Sequence, residues 1–281
     1  MEERRARLIT GLAALLAIMA CNAGRVPAAE APSLSAPLAP SPASPHGIPV
    51  SATPLELVIP DGLASGATAE TIDVVTDQTG APWDVAPAHL QLTFQDYALQ
   101  GSFHVPQIFV YPAQQYASLN PAAAESLRRL QTILTNAGGG HDQDSLPRVP
   151  FFNAGQVIAA QQRVIPFSGG AGVRFVTQYG QDVSPISNSG LFYHFEGLSQ
   201  SGSYYIIAVL PINLPFLAAD SSLDAPVPAG GVPFPPASAA GPGYEEYFKL
   251  MQGRIEAAPA DQFTPSLSVL DALAESIHVS Q

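Results

Sequence analysis

The chain predicts an α+β fold: an antiparallel sheet of roughly six to eight strands, with one helix after the first strands and two helices at the C-terminal end. Two observations carry that expectation. Between Gly172 and Pro211 the sequence GVRFVTQYGQDVSPISNSGLFYHFEGLSQSGSYYIIAVLP holds three runs of β-branched and aromatic residues, each closed off by Gly, Pro, Ser or Asn, which is how consecutive antiparallel strands read. Helical periodicity is confined to one segment ahead of that stretch and two behind it. Strands, one helix, two successive hairpins and closing helices argue an antiparallel sheet covered on one side.

Taken in order, LELVIP (55–60) reads as a first strand, and ETIDVVT (70–76) alternates like a half-buried one before the turn chemistry of DQTGAP. HLQLTFQDY (89–97) sets Leu90, Leu92 and Phe94 against His89, Gln91, Thr93 and Gln95, a strand with one wet face. The single tryptophan, Trp83, lies among Gly80, Pro82 and Pro87 and is expected to cap the end of the core. PQIFVYP (106–112) has the continuous apolar run of a central strand. NPAAAESLRRLQTILTNAGGG then begins a helix, with Asn120 as N-cap, Pro121 at the first helical position, Gly138 as terminator and an apolar stripe of Leu127, Leu130, Ile133 and Leu134.

GQVIAAQQRVIPF (155–167) leads through SGGAG into VRFVTQY as a hairpin, and SQSG joins LFYHFEGL to SYYIIAVLP as the next. Residues 213–243 form a long Pro/Gly/Ala loop, expected to be flexible. GYEEYFKLMQGRIEAAP and TPSLSVLDALAESI close the chain as helices, the second capped by Thr264 with Pro265 after it. This order of elements is similar to that of the PsbP/Mog1-like domains, in which a helix precedes a run of antiparallel strands and a closing helix returns onto the sheet.

Hydrophobic residues make up 47% of the 281 and charged residues only 12%, so the core is large and the surface is polar but weakly charged. The net charge is -12, with Lys249 the single lysine, and a field of that sign repels nucleic acid and anionic headgroups.

At the N-terminus, Arg4, Arg5 and Arg7 precede an apolar run from Leu8 to Ala20. That run suits a signal-peptide core and falls short of the ~20 residues of a permanent span. It ends on Ile18-Met19-Ala20-Cys21, which resembles the lipobox of bacterial lipoproteins over residues 1–21. The resemblance implies removal of 1–20 and attachment of a diacylglycerol to Cys21, so that the partner is a membrane and the location is the cell envelope outside the cytoplasm. Cys21 is the only cysteine, so no intramolecular disulfide forms. Acyl chains contribute ~0.8 kcal/mol per buried CH₂ and hold such a protein stably once two or more are attached.

Residues 21–50 carry Pro at 27, 32, 37, 40, 42, 45 and 49 and no aromatic residue, the composition of a disordered tether with polyproline II bias. Residues 51–281 then make a single α+β domain.

The folded part shows no GxSxG, GxxxxGK[ST], GxGxxG or HExxH motif, and no cofactor is expected. His141, Asp142 and Asp144 lack the spacing of a calcium loop and read as a solvated turn, so no metal site is expected either. The one suggestive cluster combines Arg163 with Arg174 and Gln178 on one strand and His194 and Glu196 on the next, framed by Tyr179, Tyr193, Tyr204 and Tyr205. If those faces coincide they line a polar ligand pocket. If they do not meet a ligand, Arg174 and Glu196 form a cross-strand pair on a wet face, worth under ~1 kcal/mol. The expected function is therefore a membrane-anchored extracytoplasmic lipoprotein with a binding or structural role. The alternative is an extracytoplasmic hydrolase whose nucleophile, base and orienting group converge only in the fold.

Overall fold

Ser168 and Gly169 turn the chain tightly at one end of the long hairpin, Gly169 taking φ 83°, and Gly202 (φ 72°) does the same for the next hairpin. In the computed structural model, which describes residues 46–77, 79, 81–136 and 141–280, these hairpins join β6 (Gly155–Phe167) to β7 (Gly170–Gly180) and β8 (Phe192–Ser199) to β9 (Tyr204–Pro211). With β3 (Gly66–Ile72), β4 (His89–Gln95) and β5 (Gln107–Pro112) they form a seven-stranded antiparallel sheet in the order β3-β4-β5-β9-β8-β7-β6. The Gly172–Pro211 stretch thus supplies three adjacent strands, with β9 at the centre. The signal segment, Cys21 and the tether up to residue 45 lie outside the described residues.

Two layers cover this sheet, one on each face, where cover on a single face was expected. On one face α1 (Ala113–Leu119) and α2 (Pro121–Thr135) bury Tyr116, Ala123, Leu127, Leu130 and Ile133 against Val173, Phe175, Phe192, Tyr205, Ile207 and Val209. On the other, α3 (Pro242–Ala257) and α4 (Leu267–Glu275) pack Met251, Ile255, Leu270 and Leu273 against Val176, Tyr193, Phe195, Ile206, Ala208 and Leu210. Central β9, buried on both faces, has the continuous apolar run that such an environment favours, while β7 and β8, buried likewise, carry polar residues among their apolar ones.

The second face is completed by a small sheet of β1 (Gly47–Ala52), β2 (Leu55–Pro60) and β10 (His278–Val279), in which the first and last described strands flank β2. Gly47–Val50, expected as the end of the tether, are therefore strand. Pro49 fits there because β1 is an edge, where a missing N–H leaves no ladder bond unmade. β3 likewise begins at Gly66 and ends at Ile72, not at Thr76. Its partner β4 begins at His89 opposite Ile72, and beyond that pair only Val75 and Ala86 form an isolated bridge.

Asn120 caps α2 as its sequence predicts, its side-chain oxygen accepting from Ala122 N (3.0 Å) and Ala123 N (3.3 Å), while Gly138 lies outside the described residues. α4 is capped by Ser266 rather than Thr264, the Ser266 side chain accepting from Val269 N at 3.3 Å. α1 was not expected from its short, cap-less AQQYASL. Trp83 does not cap the core: it sits in a 3-10 turn and remains 39% exposed. The 213–243 loop is anchored at both ends, with Leu214, Phe216 and Leu217 buried and Phe234 packed edge-on against Tyr247 of α3.

Candidate functional site

Strand register decides where the five expected site residues go. Across β7 and β8, Arg174 faces Phe195, Phe175 faces His194 and Val173 faces Glu196. Directly opposed residues share a face, and one step along a strand changes it. Arg174 and Gln178 therefore lie on the α4 side with Arg163, which pairs with Arg174 across β6 and β7, while His194 and Glu196 lie on the α2 side. The five do not line one pocket, and the Arg174–Glu196 pair does not form.

On the α4 side the arginines converge on a residue the sequence reading did not single out. Asp271 of α4 receives Arg163 Nη1 at 3.1 Å on Oδ2, and the Tyr193 hydroxyl at 3.1 Å on Oδ1. Arg174 Nε lies 3.2 Å from the same Oδ1, close enough for an ion pair although its N–H is not aligned for a hydrogen bond. Arg174 and Asp271 are each 5% exposed, and Arg174 also donates through Nη1 to the Gln161 carbonyl. Burial, reinforced by the Asp271 charge, pushes the Tyr193 phenol well above its ordinary range. These contacts lock α4 onto the sheet.

On the α2 side Glu196 is the hub of a network with no solvent contact. Its Oε1 accepts from Val149 N at 2.8 Å and lies 2.9 Å from His194 Nε2. Its Oε2 accepts from the Tyr205 hydroxyl, which is 3.1 Å from Ser126 Oγ on α2, and Ser126 in turn accepts from Arg148 N at 2.6 Å. Burial raises the Glu196 carboxyl above its ordinary range, against the pull of its bond to His194 and of the Val149 N–H. His194 Nδ1 has no hydrogen-bond partner.

Four loops at the end of the sheet where β7 stops and β8 starts enclose a cleft of about 630 Å³. Phe103 and His104 come from the β4–β5 connection, Phe152 from the approach to β6, Tyr179 from β7, and Ser221 from the loop after β9. Of the five expected residues only Gln178 reaches this cleft. It clamps the β7–β8 loop from below, donating Nε2 to the Pro185 carbonyl at 3.2 Å and accepting from Ser187 N at 3.0 Å.

His104 is the residue sequence reasoning missed, for SFHVP carries no motif. Its ring lies 4.3 Å from that of Phe192 and 5.3 Å from that of Phe152, centroid to centroid. Burial first, and then the nearby His194, push its pKa down to about 4, while a hydrogen bond to the Gly190 carbonyl opposes that fall. His104 is therefore neutral at pH 7, an imidazole with one donor and one acceptor nitrogen. Phe152 and Tyr179 pack at 4.7 Å beside it, and Phe103 stands 78% exposed at the rim.

Chemically the two halves differ. The His194–Glu196 pair is sealed from solvent, and the cleft is lined by aromatic rings, amides and hydroxyls. Among the described residues no group of three or more His, Cys, Asp or Glu side chains comes together as a metal site. The turn at His141 is tied down instead, Asp144 pairing with Arg148 at 2.9 Å and the His141 backbone bonding Gln162. No family model, no curated protein and no solved structure matches the chain.

Proposed function

We propose that the chain is a membrane-anchored extracytoplasmic lipoprotein whose folded unit binds a ligand in the cleft between the β4–β5 and β7–β8 loops. The observation that carries the anchoring is the apolar run Leu8–Ala20 ending on Ile18-Met19-Ala20-Cys21, with the chain's single cysteine at the one position where lipidation needs it. Among the described residues no helix is long and apolar enough to cross a membrane; a lipid on Cys21 would supply the attachment.

Binding is supported over hydrolysis by how the buried histidine is used. A hydrolytic triad needs a nucleophile on one ring nitrogen and an orienting acid on the other. His194 has the acid, Glu196, but its Nδ1 meets no hydroxyl, and the ring is fully buried. The cleft, by contrast, is concave and mixes aromatic walls with a few fixed polar groups, as small-ligand sites do.

Membrane fractionation of cells fed radiolabelled palmitate tests the anchor. The wild-type chain should carry label in the membrane fraction, and Cys21→Ala should lose both label and membrane association. Unlabelled wild-type protein, or a Cys21→Ala chain that stays at the membrane, would refute it.

A further inference from the structure

We infer that this cleft takes a neutral saccharide of a few rings, an inference that rests on reading the cleft as a ligand site. Three features of its wall point to that chemistry.

The first is aromatic. Phe103, Phe152 and Tyr179 contribute aromatic rings to the lining, with Phe103 left 78% exposed. Phe103 shares the cleft lining with Phe152 and Tyr179, and the C–H-rich faces of pyranose rings are polar ligands that pack on aromatic walls.

The second is the balance of donors and acceptors. Asn153, Gln181, Ser184, Ser189 and Ser221 present amides and hydroxyls, each able both to donate and to accept. His104, neutral at pH 7, adds an imidazole to that lining. A polyol, whose hydroxyls do both, satisfies such a wall. A proline-rich peptide, which brings carbonyl acceptors and few N–H groups, matches the donors of that wall and leaves its acceptors to solvent.

The third is charge. No lysine or arginine lines the cleft and Asp182 is its one acidic side chain, so an anionic ligand meets no basic counter-charge there. Its volume of about 630 Å³ lies within the range of sites that hold a ligand of a few rings.

The full-length chain in detergent is applied to an array of neutral and acidic glycans, beside Phe103→Ala and Asn153→Ala, with thermal unfolding of each variant as a control of folding. The expected result is binding of neutral glycans, weakened about tenfold or more in both variants at unchanged Tm, and no binding of acidic ones. A hexaproline peptide and the neutral dye Nile red are titrated in parallel. If either of these binds in a Phe103-dependent way while no neutral glycan does, the saccharide assignment is overturned and the cleft remains a ligand site. Binding of acidic glycans alone overturns the assignment as well. If nothing binds in a Phe103-dependent way, the reading of the cleft as a ligand site falls with it.

Discussion

Glu196 sits in the middle of β8 with no solvent contact, and what it touches sets its behaviour. Val149 N, His194 and Tyr205 all address its two oxygens. Removing the carboxylate in Glu196→Ala leaves these donors without an acceptor and should cost about 3–5 kcal/mol in urea unfolding. Glu196→Gln keeps one carbonyl acceptor for the Val149 N–H and should cost less.

The two titrating groups near the α2 face have opposite pH signs. Burial raises the Glu196 pKa in the fold, so its contribution to stability is present below the ordinary carboxylate range and is lost as pH rises through its folded pKa. His104 is depressed to about 4 in the fold from 6.5. Its contribution is present above 6.5 and is lost as pH falls toward 4, by about 1–3 kcal/mol. A stability profile between pH 7 and 4 should flatten in His104→Asn if that window belongs to His104, and an unchanged slope would assign it elsewhere.

At this scale the sequence shows which residues are polar within apolar strands but not where they point. His194 and Glu196 are correctly read as sharing one face of their strand. Whether that face coincides with Arg174 depends on a one-residue register that no local pattern carries. Asp271 lies inside the apolar LSVLDALAE, where nothing marks it as the partner of two arginines more than ninety residues upstream.

Among the elements, β7 and β8 are held at close approach by glycine. Gly172 and Gly197 face each other across the pair, and a Cβ at Gly172 would lie 2.4 Å from the Phe195 ring and 2.6 Å from the Glu196 carbonyl oxygen. The backbone carbonyl cannot retreat as a side chain can, so Gly172→Val should lower stability by about 1–3 kcal/mol or more in the same unfolding assay. β6 carries a different device. Its bulge puts Gln161 at φ 58°, from where Nε2 serves the Ile255, Glu256 and Ala258 carbonyls at 3.0, 2.8 and 2.9 Å. These carbonyls end α3, so Gln161→Ala should cost about 1–2 kcal/mol and loosen that helix end, seen as faster amide exchange there. The hairpins at SGGAG and SQSG and the helix start at Asn120 are legible because their chemistry is local. The Gln161 bulge is not, because the groups that it satisfies lie over ninety residues away.

For the whole molecule, the sheet is closed on its second face by parts that meet only in the fold: the α3–α4 pair and a small sheet made from the first and last described strands. That is why cover on one face was the natural expectation, for β1 and β10 are short and meet only through β2. All of this rigid framework presents the cleft at one end of the large sheet, on loops held by Gln178 and by Asn188, whose Nδ2 donates to the Leu214 and Leu217 carbonyls at 3.1 and 3.2 Å. The proposed lipid on Cys21 would tether that framework to a membrane through a proline-rich segment. The claim is tested most directly by mass spectrometry of the intact protein purified from the membrane fraction. A lipoprotein yields a mature chain that begins at Cys21 and carries a diacylglycerol on its sulfur; a chain that begins elsewhere, or an unmodified Cys21, rules the lipid anchor out.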